Sequence, residues 1–170
     1  MADTQNLQIK DYYQLDSQEQ KYWLAKIGES DWRAGKYLFQ LLSDDEFKNL
    51  CGQKSTVFLL TQNKDLLSFC TFAEHDDIPD TELTPWIGFV FTFPAFRGKR
   101  HIGKLMEHIC GLAKNQGFNK IYISTDQKGL YENCGGAVRC RPGKRGDAGF
   151  VRDLALQRGQ RKAQKHGAFL

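Results

Sequence analysis

The sequence predicts one α/β domain of the mixed, α+β kind, and three observations carry that reading. A chain of 170 residues with 41% hydrophobic and 12% aromatic residues is the size of a single domain and can bury roughly 70% of the surface its unfolded form exposes. Residues 17 to 50 hold apolar side chains at helical spacing, whereas strand signals dominate from Thr56 onward. An apolar run, Trp86 to Phe93, then hands over to an amphipathic segment and a further apolar stretch, which makes a strand, helix, strand unit. Residues 1–157 are read as the domain and 158–170 as a basic C-terminal tail.

Leu7 and Ile9 alternate with polar neighbours and predict a first strand. Ser17 and Gln20 have capping-box spacing and open a helix carrying Tyr22, Trp23 and Ile27. A second helix is expected from Ser30 or Asp31, on Trp32, Tyr37, Leu38, Leu41 and Leu42, with a restart at Ser43 and Glu46 before Phe47 and Leu50. Thr56 to Thr61 and Leu66 to Ala73 flank the polar turn Gln62-Asn63-Lys64-Asp65 and predict a hairpin. Trp86 to Phe93 suits a central strand covered on both faces, and Gly88 within it points to a bulge or a close backbone approach. Ile102, Leu105, Met106, Ile109, Leu112 and Ala113 trace a helix closed by Gln116-Gly117, followed by a strand over Lys120 to Ser124. A short helical piece is expected at Leu130 to Asn133, then a closing hairpin of Ala137 to Cys140 and Phe150 to Leu156 around a Pro142-Gly143 turn.

Residues 1 to 156 hold equal numbers of basic and acidic residues, so the net charge of +4 comes from Arg158, Arg161, Lys162 and Lys165. Four charges at a chain end read first as a solvated tail, and a nucleic-acid partner is not favoured. Five cysteines without metal-ligand spacing predict reduced thiols, no metal, and a cytoplasmic location. Met1 to Lys10 lacks the apolar core of a signal peptide, and no run approaches the ~20 apolar residues that span a bilayer, so no membrane partner is expected.

Charge is sharply patterned in the middle of the chain. Asp65 to Phe96 contains six acids and no Lys or Arg, after which Arg97-Gly98-Lys99-Arg100-His101-Ile102-Gly103-Lys104 carries four permanent positive charges and no acid. The reversal falls where the apolar strand gives way to the helix. Free N–H groups, the positive end of the helix dipole and close backbone approach at Gly98 and Gly103 suit this junction to phosphate. Gly98 to Lys104 also has the spacing of a Walker A loop, with Asp126 in the Walker B role, which leaves a P-loop nucleotide hydrolase as an alternative. Against it, Leu105 stands where such a loop needs Ser or Thr for magnesium. A non-enzymatic nucleic-acid-binding domain using the basic tail is the alternative from another class.

A second set of landmarks surrounds the same loop. Phe93-Pro94-Ala95-Phe96-Arg97-Gly98-Lys99-Arg100, then Leu105-Met106, a helix ending Gln116-Gly117-Phe118, the strand Ile121 to Asp126, and Gly129-Leu130-Tyr131-Glu132-Asn133 together resemble the GNAT superfamily of N-acetyltransferases. The correspondence in order and spacing runs from about Leu66 to the second closing strand. Arg100 stands where the family usually has its second glycine, and Gly136-Ala137 where it usually has a phenylalanine.

The resemblance implies a mixed, mostly antiparallel central sheet of six to seven strands flanked by about four helices, splayed between the strands that end near Phe93 and Thr125. It implies acetyl-CoA as co-substrate, no metal, and a small-molecule or peptide amine as acceptor, in a monomer or homodimer. Arg97, Gly98, Lys99, Arg100, His101, Ile102, Gly103 and Lys104 would then take the pyrophosphate, and Val90, Phe91 and Thr92 would pair with the pantetheine arm. Tyr131 would stand beside the coenzyme sulfur and supply a proton to the departing thiolate. Trp86 occupies the position where some members carry a catalytic glutamate, so Glu82, the nearest carboxylate, is the candidate base, with His75 and Asp80 as alternatives. Trp23, Trp32 and Tyr37 fall on the early helices that wall the acceptor pocket, although aromatics at this spacing also suit a core. Glu74 to Glu82 would form an acidic entrance for a cationic amine.

Overall fold

The computed structural model describes residues 6–76, 82–125, 138–146 and 149–156. Seven strands form one sheet: β1 (Leu7–Asp11), β2 (Thr56–Gln62), β3 (Asp65–Ala73), β4 (Trp86–Thr92), β5 (Lys120–Thr125), β6 (Val138–Gly146) and β7 (Gly149–Leu156). Their spatial order is β1-β2-β3-β4-β5-β7-β6, which places β4 at the centre. Every neighbouring pair is antiparallel except β4 and β5. Four helices are added: α1 (Ser17–Gly28), α2 (Arg33–Ser43), α3 (Phe47–Cys51) and α4 (His101–Asn115).

The period-2 alternation of the strands sorts two cores. Val57, Leu59, Phe69, Trp86 and Phe91 face α1, α2 and α3 through Trp23, Ile27, Leu38, Leu41 and Phe47. Phe58, Leu60, Cys70, Phe72, Ile87, Ile121 and Ile123 face α4 through Leu105, Met106, Ile109 and Ala113. Both faces are therefore covered, as the apolar run of β4 requires. Each fully buried aliphatic or aromatic side chain contributes about 1.5–3 kcal/mol relative to exposure.

Several boundaries differ from the sequence reading, each for a local reason. The cap of α1 is Asp16 rather than Ser17: its carboxylate accepts from the N–H groups of Gln18 and Glu19, both at 2.9 Å. An acceptor there is worth about 1 kcal/mol. Helix α2 starts at Arg33, two residues late, because Trp32 takes the cap position in extended conformation without a side-chain cap. The expected Pro142-Gly143 turn lies inside β6, where the register with β7 shifts between Pro142 and Arg145 and the pairing continues to Gly146 opposite Gly149. Proline is tolerated there because β6 is an edge strand with a bulge. The expected short helix at Leu130 to Asn133 lies outside the described residues, as does the tail 158–170.

Gly35 fixes the approach of α2 to the sheet. A Cβ at this position would collide with Ser30 Oγ and lie 3.2 Å from Ser30 Cβ and 3.4 Å from Phe69 Cζ. Gly35→Ala is therefore expected to lower stability by about 1 kcal/mol or more, overpacking outweighing a gain of ~1 kcal/mol in helix propensity. Ser30 Oγ is buried without a hydrogen-bond partner. Adding Ser30→Ala should thus recover part of the loss, as read from urea-denaturation midpoints.

Candidate active site

The central strand is built to part from its neighbour. Strand β4 pairs with β5 only through Trp86 with Tyr122 and Ile87 with Ile123, reinforced by the Tyr122 N–H donating to Pro85 C=O at 2.9 Å. Beyond Ile87 the β5-side edge of residues 88–92 has no strand partner among the described residues. On its other side β4 follows β3 to its end, with Ser68 opposite Thr92 and Phe69 opposite Phe91.

Between those pairs and the Thr71–Gly88 pair, Phe89 and Val90 together face Cys70, so the strand bulges. The bulge carries φ of 48° at Phe89, and that places the strained residue one position after the glycine that signalled it. Gly88 serves the close approach instead: a Cβ there would sit 3.0 Å from Thr71 Oγ1. The strand end is then clamped. Ser68 Oγ donates to Phe91 C=O at 2.6 Å and lies 3.0 Å from Thr92 Oγ1, while the Phe93 N–H donates to Leu67 C=O at 3.0 Å.

A 3-10 turn at Pro94–Phe96 carries the chain from β4 into the cationic loop. Arg97 folds back, donating from Nε to Thr92 C=O at 3.0 Å with its guanidinium 5.7 Å from the centre of the Phe91 ring. Gly98 and Arg100 adopt left-handed conformations, with φ of 81° and 58°. That geometry is natural for glycine and costly for arginine. No side chain caps α4, and the sequence at its start carries Lys99, Arg100 and Lys104. A Cβ at Gly103 would meet nothing within 4 Å, so the surface of that turn is open.

The sequence placed His101 in the loop; it is the first residue of α4 and only 7% exposed. Both ring nitrogens are buried without a hydrogen-bond partner. An uncapped helix start, open space over Gly103 and an unsatisfied imidazole together fit a polyphosphate anion.

The acidic side is less of a unit than its sequence suggested. Glu74 belongs to a clasp between the α3–β2 connection and the end of β3: its carboxylate accepts from the Lys54 N–H at 2.9 Å and its own N–H donates to Ser55 Oγ at 2.9 Å. His75 is exposed, and its N–H donates to Cys51 C=O at 2.9 Å. Glu82 is exposed just ahead of β4, in a segment held by the Trp86 indole donating to Leu83 C=O at 2.6 Å. Asp80, Tyr131 and Asp126 lie outside the described residues. Of the early aromatics, Trp23 is core, Trp32 stacks on Phe91 with ring centres 5.6 Å apart, and Tyr37 is half exposed against Phe89. The Trp32–Phe91 stack was invisible in the sequence, because nothing local links residues 59 positions apart.

A sheet that opens along one strand, with the open edge leading to a cationic, uncapped helix start, offers an extended, phosphate-bearing ligand a backbone edge and an anion site in line. Residues 8–135 match the profile of the acetyltransferase (GNAT) family, and the chain belongs to that family. Solved structures share the fold. The GNAT-family acetyltransferase of Staphylococcus aureus Mu50 is 13% identical, with a TM-score of 0.58 over 89% of this chain and 100% of that one. The PaiA N-acetyltransferase of Thermoplasma acidophilum, in complex with coenzyme A, is 9% identical, with a TM-score of 0.60 over 89% and 99% of the two chains. The N-acetyltransferase PseH of Campylobacter jejuni, in complex with acetyl coenzyme A, is 14% identical, with a TM-score of 0.52 over 89% and 100%. No curated protein sequence matches the chain significantly.

The nucleotide-hydrolase alternative loses its basis. Gly103 and Lys104 lie within α4, and the sheet is mostly antiparallel rather than parallel. Among the described residues no cluster could hold a metal ion, and no helix is long and apolar enough to cross a membrane.

Burial first, then the charges of Lys104 and Lys99, holds the His101 pKa below its ordinary value of 6.5. The unfolded chain therefore takes up this proton at higher pH than the folded chain, and stability rises with pH through that window. Urea midpoints are expected to fall as pH drops through about 6.5 toward 5, and to fall less steeply in His101→Leu.

Proposed function

We propose that the chain transfers the acetyl group of acetyl-CoA directly to a primary amine of a small molecule or peptide. The observation that carries this reading is the edge of β4 beyond Ile87, which has no strand partner among the described residues and leads to the uncapped start of α4. Acetyl-CoA would supply an acyl group activated as a thioester. Backbone N–H groups of Gly98 to Lys104, with the charges of Arg97, Lys99, Arg100 and Lys104, would bind its pyrophosphate. Val90, Phe91 and Thr92 would pair with the amides of the pantetheine arm. The Phe91 and Thr92 carbonyls already accept from Ser68 and Arg97, which holds that edge rigid before any ligand arrives. A strand-edge N–H aimed at the thioester oxygen would stabilise the negative charge that develops there.

Two residues would move protons. Glu82, exposed at the approach to β4, would take the proton of the incoming ammonium. Tyr131 would donate to the departing sulfur, a role open to a phenol because it is protonated at neutral pH without carrying charge. Location in the cytoplasm accords with this use of acetyl-CoA.

Acetyl-CoA is expected to raise the melting temperature, and ATP with magnesium to leave it unchanged; equal shifts would overturn the reading. Tyr131→Phe is expected to lower kcat by at least about tenfold with little change in the KM for acetyl-CoA, the pattern of an interaction made in the transition state. Glu82→Gln should reduce turnover most at low pH, where the amine is most fully protonated. A mutant with the wild-type pH profile would remove Glu82 as the base.

A further inference from the structure

The face of β4 opposite α4 is lined by rings at the point where the strand opens. Trp32 lies flat on Phe91, 5.6 Å between ring centres and 4° between planes. Phe91 also contacts Phe69 at 5.4 Å and Phe93 at 5.1 Å. One turn along α2, the Tyr37 ring is tilted 39° to that of Phe89 at 6.3 Å, and Tyr37 remains 51% exposed. Phe89 is the bulge residue itself, so the half-exposed Tyr37 ring meets the side chain carried by the bulge.

The chemistry of the proposed transfer sets the direction of approach. Helix α4 covers the other face of the sheet, and its start would hold the phosphates of the donor. With α4 packed on that face, the amine would arrive on the α2 face. There it meets Tyr37 and Phe89, with Trp32 and Phe91 beside them. The Arg97 guanidinium lies 5.7 Å from the centre of the Phe91 ring. Helix α2 carries Arg33 and Lys36 in its sequence and no acid between Arg33 and Ser43, and Asp31 precedes it.

Resting on the acetyltransferase reading above, we propose that the acceptor is a primary monoamine with an aryl or other apolar group a short chain from its nitrogen, and that Tyr37 is the ring on which that group packs. Polyamines and lysine-rich peptides are disfavoured on two grounds. Their further positive charges would be brought toward Arg97, and would lose water against rings. An apolar body gains from the same surface. Desolvation also favours the neutral amine, the form that attacks, so the wall assists the step for which a base is needed.

The test uses the full chain with 2-phenylethylamine, spermidine and Nα-acetyl-lysine amide as acceptors, and calorimetry with acetyl-CoA as a separate measurement. Expected is a kcat/KM for 2-phenylethylamine at least about tenfold above either alternative, in line with burial of one aromatic group. Tyr37→Ala should raise the KM for 2-phenylethylamine at least about fivefold, Tyr37→Phe should restore it, and neither should move the KM for acetyl-CoA. Tyr37 is half exposed, so both variants should fold. Binding of acetyl-CoA together with a preference for spermidine or the lysine derivative, with no acetylation of any of the three, or with an unchanged KM in Tyr37→Ala, would overturn this inference alone. Absence of acetyl-CoA binding would overturn the acetyltransferase reading and this inference with it.

Discussion

A β-strand in the middle of a sheet normally satisfies its backbone on both sides, and among the described residues β4 has a strand partner on only one beyond Ile87. The rest of the structure is arranged around holding that strand in place while its second edge stays unpaired. Ser68 fastens the Phe91 carbonyl, the Leu67 carbonyl takes the Phe93 N–H, and Arg97 returns to the Thr92 carbonyl. The rings of Phe69, Phe91, Phe93 and Trp32 pack the covered face, and each favourable ring pair adds about 0.5–1.5 kcal/mol beyond its buried area. A strand without these fastenings would have two ways to satisfy itself: close against β5, or fray.

Charge follows the same geometry. The strands leading into the site carry no cation from Asp65 to Phe96, and four arrive within eight residues of the turn after β4. Like charges so close repel one another, and the left-handed backbone at Arg100 adds strain. His101 meets the same field from inside the fold, with its nitrogens unsatisfied. Strain, repulsion and an orphaned polar group concentrated on one turn are what a site shaped for an anion displays before the anion binds.

Most of the fold was legible because it is written in periodicity. The apolar runs of β2 and β4 and the stripe of Leu105, Met106, Ile109 and Ala113 each encode burial directly. Caps and turns were less secure. Asp16 and Ser17 are both good caps in adjacent positions, and Pro142-Gly143 has the composition of a turn until the pairing partner of β6 is known. The cationic loop was legible because charge, glycine and the strand-to-helix handover coincide there. By contrast, the aromatic wall depends on rings brought together from Trp32, Tyr37, Phe69, Phe89 and Phe91 across three elements. No local pattern distinguishes such rings from ordinary core, and Trp23, at similar spacing, is core. The backbone partner of Glu74 was equally hidden, because Lys54 lies 20 positions away from it.

The outermost strand, β6, bears on how copies of this chain meet one another. An exposed sheet edge is a template on which a second chain can lay a strand and so begin aggregation. The β6 sequence, Val-Arg-Cys-Arg-Pro-Gly-Lys-Arg-Gly, places four cations and a proline in nine residues, and its register breaks after Pro142. The proline withholds one N–H from any incoming strand, the shifted register spoils continuity, and the charges repel an identical edge. Strand addition at this edge is thereby disfavoured by the sequence of the strand itself.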